Sequence, residues 1–183
     1  MQVRSEYQSV SWSSEIKDTE LEHLYKLRGT STVIAGIGNI LKGDDAVGPV
    51  VCEHLRGAKI SADVIDTGTV PENYIQPIIK KAPRNLLLVD AIDFGAEPGT
   101  IKVFETEQLN SLAISTHTLS PRLFIDVIRQ NIKLDVYIIG IQPVHTQLGQ
   151  PVSEQCGSAI HRLSDFLIEV FPPKQQKWAG GKL

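Results

Sequence analysis

The residues best suited to chemistry in this sequence are three aspartates and a histidine. Asp45 follows a Gly-rich turn, Asp66 and Asp90 each come at the end of an apolar run, and His117 precedes a Ser-Pro pair. Asp45, Asp90 and His117 together form a reasonable ligand set for a divalent transition metal that keeps open coordination positions. Carboxylates can also activate water for hydrolysis. The residue types therefore predict a cation site or a hydrolytic site, if the fold brings them together.

The turn that carries Asp45 lies within residues 33–48, VIAGIGNILKGDDAVG. Phosphate-binding proteins use the same strand–turn–helix arrangement, and two of the glycines have P-loop spacing. However, Asp44 and Asp45 stand where the Lys and Ser/Thr of a P-loop should follow. The dinucleotide pattern fails as well, because its third glycine would fall at Leu41. Since two acids repel phosphate and attract a cation, we expect a cation site here and not a nucleotide site.

Each candidate also has a structural interpretation. Asp44 or Asp45 could cap the helix that begins near residue 46, and for Asp44 we favour that role. Asp90 follows an apolar run, and a buried carboxylate costs several kcal/mol unless it is paired or coordinated, so a functional role is favoured there. His117 taken alone is equally consistent with a hydrogen-bonded loop side chain.

Strand and helix patterns alternate along the chain, which predicts an α/β protein. Apolar runs predict strands at 32–37, 62–66, 85–91, 100–105 and 134–141, and helical patterns follow at 46–55, 71–81, 121–130 and 153–171. Residues 69–72 have the form of a capping box for the second helix. Such alternation indicates a three-layer αβα sandwich with a mostly parallel twisted sheet and helices on both faces.

In sheets of this kind, ligands bind outside the carboxyl ends of the strands. The first three strands lead to Asp45, Asp66 and Asp90, and His117 lies just before a predicted helix. We therefore expect these side chains to converge at one edge of the sheet. His145 follows the last strand and could line the same cleft.

Composition and pattern divide the chain into three parts. Residues 1–30 are polar and weakly patterned, and we interpret them as an N-terminal extension outside the core, with a short helix near residues 20–27. Residues 31–172 form a single α/β domain, and residues 173–183 form a C-terminal tail after a Pro-Pro pair.

The overall composition also excludes several classes of protein. A net charge of −3 without a basic patch argues against a nucleic-acid binder. No signal peptide is visible, and no apolar run approaches the ~20 residues of a membrane span, so we expect a cytoplasmic protein that does not contact a membrane. We also expect a monomer. Cys52 and Cys156 lack metal-ligand spacing and are interpreted as small buried side chains.

Four segments together resemble the maturation endopeptidases of [NiFe] hydrogenases. They are GIGNILKGDDAVG, LLLVDAIDFGAEPGTI, STHTLSP and IIGIQP, and they occur in the family's order over about residues 33–171. The segment TGTVPENYI further resembles the branch that processes the large subunit of formate-hydrogenlyase-type hydrogenases.

The resemblance implies a protease that removes a short C-terminal peptide from the precursor of a hydrogenase large subunit after nickel has been inserted. The family's metal-contacting residues fall on Asp45, Asp90 and His117. We expect no permanently held cofactor, because the nickel belongs to the precursor and is contacted during recognition. Our hypothesis is that Asp45 and Asp90 position the precursor's nickel or a water, with one of the two carboxylates assisting attack on the scissile amide. Asp66 could help in proton transfer.

Two other hypotheses remain open on the sequence alone. A non-catalytic metallochaperone or nickel sensor could use the same three residues on the same precursor, but it would bind the precursor without cutting it. A nucleotide-binding α/β module is the third hypothesis, and the acidic turn argues against it.

Overall fold

The computed structural model describes residues 19–106 and 121–173. Its strands are β1 (Thr32–Ile37), β2 (Asp63–Gly68), β3 (Asn85–Ala91), β4 (Ile101–Glu105) and β5 (Asp135–Ile141). They form one sheet in the order β2-β1-β3-β5-β4, in which β4 is antiparallel to β5 and all other pairs are parallel. The predicted strands are confirmed, each within two residues of its expected bounds.

The helices are α1 (Thr19–Glu22), α2 (Val47–Gly57), α3 (Ile75–Lys81), α4 (Pro121–Arg129) and α5 (Glu154–Val170). Single 3-10 turns at His23–Leu27, Gly43–Ala46 and Pro71–Tyr74 precede β1, α2 and α3. Among the described helices, none is long and apolar enough to cross a bilayer.

The predicted capping box at residues 69–72 is wrong. Pro71 takes the first position of its 3-10 turn, which makes Val70 the N-cap residue, and a valine side chain offers no acceptor to the backbone.

Side-chain alternation along the strands builds two apolar layers, one on each face of the sheet. In β3, Leu87 and Val89 point to the layer of α2 and α5, whereas Leu86 and Leu88 point to the layer of α3 and α4. Every side chain of β3 is buried, as expected for a central parallel strand covered on both faces. The predicted three-layer αβα sandwich is confirmed.

Helix α2 begins in unusually close contact with the sheet. A Cβ atom on Gly48, in the first turn of α2, would lie 2.3 Å from the carbonyl oxygen of Ile37. Any side chain at Gly48 would push α2 away from the end of β1. This close contact fixes the turn that carries the aspartates at the carboxyl edge of the sheet.

The interpretation of residues 1–30 as lying wholly outside the core is wrong for its last part. A short helix near residues 20–27 is confirmed, but Leu21, Leu24 and Leu27 are at most 3% exposed and belong to the α2–α5 apolar layer. Their spacing of three residues places them on one side of the helical segment. This pattern was too short to stand out from the polar residues before it.

Candidate active site

Asp45 lies in the 3-10 turn that joins β1 to α2, and only 6% of it is exposed. Its Oδ2 atom accepts a hydrogen bond of 2.9 Å from the backbone N–H of Asn39, and its carbonyl oxygen accepts a longer one of 3.1 Å from the same group. Gly38 permits this arrangement, because its φ is 139° and a Cβ there would lie 1.8 Å from the carbonyl oxygen of Asp45. The Gly-rich sequence therefore holds Asp45 at the carboxyl end of β1.

Asp90, the last residue but one of β3, is 5% exposed and points to the α3–α4 side of the sheet. Its direction follows from its register partner in β5, Gly140. A Cβ on Gly140 would contact Phe104 and Ile92, which both belong to the α3–α4 layer. Paired residues of parallel strands point to the same face, so Asp90 shares that direction.

Asp45 and Asp90 interact electrostatically. Burial is the main cause that raises the pKa of Asp90 well above its ordinary value, and the negative charge of Asp45 raises that pKa further. A hydrogen bond from the backbone N–H of Ala91 opposes the shift without cancelling it. The raised pKa of Asp90 therefore favours its protonated form beside the charge of Asp45.

Asp44 has a different role from its neighbour. Its carboxylate accepts hydrogen bonds from the N–H groups of Val144 (2.8 Å), His145 (3.2 Å) and Ser153 (2.7 Å) and from the Ser153 hydroxyl (3.0 Å). Burial would raise the pKa of Asp44, but these hydrogen bonds outweigh burial and the pKa is lowered. The expected helix cap is therefore wrong, since neither the 3-10 turn nor α2 has a side-chain cap.

Asp66 lies on the other face of the sheet from Asp90. It is paired with Gly36 of β1, and a Cβ on Gly36 would contact Cys52 of α2. The Oδ1 atom of Asp66 accepts a hydrogen bond of 2.9 Å from the N–H of Gly68, the last residue of β2. No contact in the described part of the chain links Asp66 to Asp90, so its helper role stays a prediction.

His117 lies outside the described residues. The helix that follows it does have a defined direction: Arg129, at the end of α4, lines the same pocket as Arg84 and Asp135, which lie at the amino edge of the sheet. Helix α4 is nine residues long, which corresponds to roughly 13 Å. Its first residue, Pro121, is therefore directed toward the carboxyl edge, where Asp45 and Asp90 lie.

Two further residues at this edge have buried atoms without a hydrogen-bond partner in the described residues, Glu72 at Oε2 and His145 at Nδ1. An unpaired buried polar atom costs about 1–3 kcal/mol, so such atoms are rarely kept without a reason. The ring of His145 lies against the 3-10 turn, since a Cβ on Gly43 would be 2.6 Å from Nδ1. The sequence indicated His145 as a cleft residue but assigned Glu72 only to the capping box.

Asp45 and Asp90, which we call the acid pair, can contact a cation or transfer a proton, but the two side chains do not form a metal site by themselves. Within residues 19–106 and 121–173, no group of three or more His, Cys, Asp and Glu side chains is arranged to hold a metal ion. Two buried carboxyl groups that do not complete a metal site by themselves suit an ion that another molecule already coordinates. They also suit hydrolysis, because one group can accept a proton while the other donates one.

Comparisons of the sequence and of the structure with known proteins point to one family. A sequence profile of the hydrogenase maturation protease family matches residues 50–170. The hydrogenase 3 maturation protease of Escherichia coli K12 is 33% identical over 140 residues, which cover 73% of this chain and 89% of that protein. The chain belongs to the hydrogenase maturation protease family. It is therefore a peptidase.

Other relatives agree with this assignment. A putative hydrogenase maturation protease of Methanocaldococcus jannaschii is 31% identical over 147 residues, covering 75% of this chain and 86% of its own length. The crystal structure of a [NiFe] hydrogenase maturation protease from Thermococcus kodakarensis superimposes with a TM-score of 0.74 at 34% identity, covering 82% of this chain and 97% of that one. The resemblance found in the sequence is thereby confirmed.

Proposed function

We propose that this chain removes a short C-terminal peptide from the precursor of a [NiFe]-hydrogenase large subunit. In this proposal it acts as a monomer in the cytoplasm and cuts only after nickel has been inserted into the precursor. Nickel is carried by the substrate and serves as the recognition element, and the protease keeps no cofactor of its own. The observation that carries the proposal is the buried Asp45–Asp90 pair at the carboxyl edge of the sheet.

The proposed mechanism is of the aspartic type. Asp90 holds a proton because burial and the charge of Asp45 raise its pKa. Asp45, in the ionised form, accepts a proton from the attacking water as the water oxygen bonds to the scissile carbonyl carbon. When the C–N bond breaks, Asp90 donates its proton to the leaving nitrogen, and the pair again holds one proton.

Recognition of the nickel would use the same edge of the sheet. Asp45 offers a carboxylate oxygen and Asp90 offers the carbonyl oxygen of its protonated carboxyl group. We assign the third position to His117 on the family resemblance. Such an incomplete set favours an ion that arrives with ligands of its own over a free ion. The nickel site of the precursor would thus orient the tail across the acid pair.

The experiment that tests the proposal compares nickel-loaded and nickel-free precursor by intact-mass measurement. We expect a truncated precursor and a released peptide only from the nickel-loaded form. Binding of the precursor without any mass loss would instead support the metallochaperone hypothesis. Equal cleavage of both forms would contradict nickel-dependent recognition but leave the peptidase assignment intact.

A further inference from the structure

Exposed apolar side chains are concentrated in two loops beside the acid pair. Among the described residues, six large hydrophobic side chains are exposed: Tyr25, Ile40, Leu41, Leu123, Val144 and Leu148. Ile40 (69% exposed) and Leu41 (61%) lie in the turn between β1 and α2, and Val144 (47%) and Leu148 (72%) lie in the loop between β5 and α5. We call these four residues the apolar rim.

The two loops of the apolar rim are joined by backbone hydrogen bonds. The N–H of Gly149 donates to the carbonyl of Leu41 (2.8 Å), and the N–H of Gly43 donates to the carbonyl of Gln150 (3.0 Å). The Asp44 carboxylate also accepts hydrogen bonds from the N–H groups of Val144 and Ser153. The rim is therefore displayed on a preformed support, so little backbone entropy is lost when a partner covers it.

The fold itself does not require these apolar side chains. Each of them would gain roughly 1.5–3 kcal/mol if it were buried, yet each is turned to solvent. Exposed apolar side chains grouped on two adjoining loops favour an interaction site.

The position of the rim indicates what covers it. Asn39, which donates to the Asp45 carboxylate, directly precedes Ile40. The apolar rim therefore begins beside Asp45, where a macromolecule that delivers a cation to Asp45 and Asp90 would contact it. A second copy of this chain fits less well, because its own acid pair would bring like charges toward the first.

We propose that the apolar rim is the docking surface for the folded body of the large-subunit precursor, which would cover it with apolar side chains flanking the nickel centre. This inference rests on the proposed function and extends it from the cut to the contact that precedes it. Docking at the rim would supply affinity for the precursor, while the acid pair recognises its nickel. The two contributions can be separated by substitution.

The test uses Leu41→Ser, Leu148→Ser and the double variant, with Tyr25→Ser as the control. Tyr25 is 38% exposed and packs against Phe166 near the end of α5, away from the loop where α5 begins. We expect each rim substitution to raise the Kd for nickel-loaded precursor about tenfold and the double variant about a hundredfold. KM should rise in parallel, kcat at saturating precursor should change less than about threefold, and the control should bind as the wild type does.

The outcomes are distinguishable. Unchanged precursor affinity in the double variant would overturn the docking surface. If the double variant also differs from the wild type in solution mass, the rim would instead be assigned to self-association. If the wild type binds the precursor but does not cut it, the proposed function fails while the Kd comparison still decides the rim. If the wild type does not bind at all, both proposals fail.

Discussion

Substituting each of the adjacent residues Asp44 and Asp45 with alanine should separate fold stability from activity. The Asp44 carboxylate accepts four hydrogen bonds from the loop between β5 and α5 and is 0% exposed. A hydrogen bond to a charged group contributes about 1.5–3 kcal/mol. Since water can reach part of the loop in the variant, we expect a net loss of about 3–5 kcal/mol and not the full sum.

For a chain of this size, that loss corresponds to a Tm lower by roughly 6–20 °C. Asp45→Ala loses one hydrogen bond from Asn39 but also removes the charge that repels Asp90. We therefore expect its free energy of unfolding to lie within about 1 kcal/mol of the wild type, while processing of the precursor is abolished.

Urea unfolding followed by circular dichroism measures both variants, and Asp165→Ala on the exposed side of α5 is the control. An Asp44→Ala protein as stable as the Asp45→Ala protein would refute the reasoning. The pH dependence gives a second check. Because the folded pKa of Asp44 is lowered, its stabilisation is present above the unfolded pKa and is lost as pH falls through the folded pKa. The stability difference between wild type and Asp44→Ala should therefore shrink in acid.

Three further predictions follow from the same geometry. The pKa of Asp90 is raised in the folded protein, so rising pH ionises Asp90 in the unfolded chain first and lowers the free energy of unfolding of the wild type. Asp90→Asn lacks this ionisation, so its Tm relative to the wild type should rise from pH 4 to pH 7. A constant Tm difference would contradict a raised pKa for Asp90. Gly38→Ala should lower expression or Tm and reduce processing, because a Cβ would lie 1.8 Å from the Asp45 carbonyl oxygen; wild-type behaviour in both assays would contradict this. Burial raises the pKa of Cys52 to about 11, so about one thiol in a thousand is ionised at pH 8. Peptide mass mapping should therefore show iodoacetamide labelling of Cys52 in urea but not in the native protein; labelling of native Cys52 would contradict its burial.

Local pattern was enough to predict the strands and the edge of the sheet where the candidate site lies. Continuous apolar runs such as residues 85–91 have few alternatives to a buried strand, and parallel strands place their carboxyl ends together. The juxtaposition of Asp45 and Asp90 follows from that rule and from the short turn after β1. These inferences needed only neighbouring residues and the general topology of α/β proteins.

What the sequence could not predict depends on contacts between distant residues. The partners of Asp44 lie about a hundred positions away, at Val144, His145 and Ser153, so the local helix cap was the only role visible from the pattern. The face of Asp66 depends on its register with Gly36, which is fixed by strand pairing and precedes an irregularity between Gly36 and Ile37.

Residues 21–27 show a similar limit. Three leucines in a polar segment give a weak pattern, and their burial is decided by packing against the α2–α5 layer. Propensity carries no information about such packing.

The most direct test of the acid pair is a time course of intact mass for nickel-loaded precursor with wild type, Asp45→Asn and Asp90→Asn. Asparagine keeps the shape of each side chain but can neither accept a proton from water nor hold one for the leaving amine. We expect the wild type to release the C-terminal peptide and each variant to process at least about a thousandfold more slowly while remaining folded. Processing by either variant within tenfold of the wild-type rate would contradict a catalytic role for the pair.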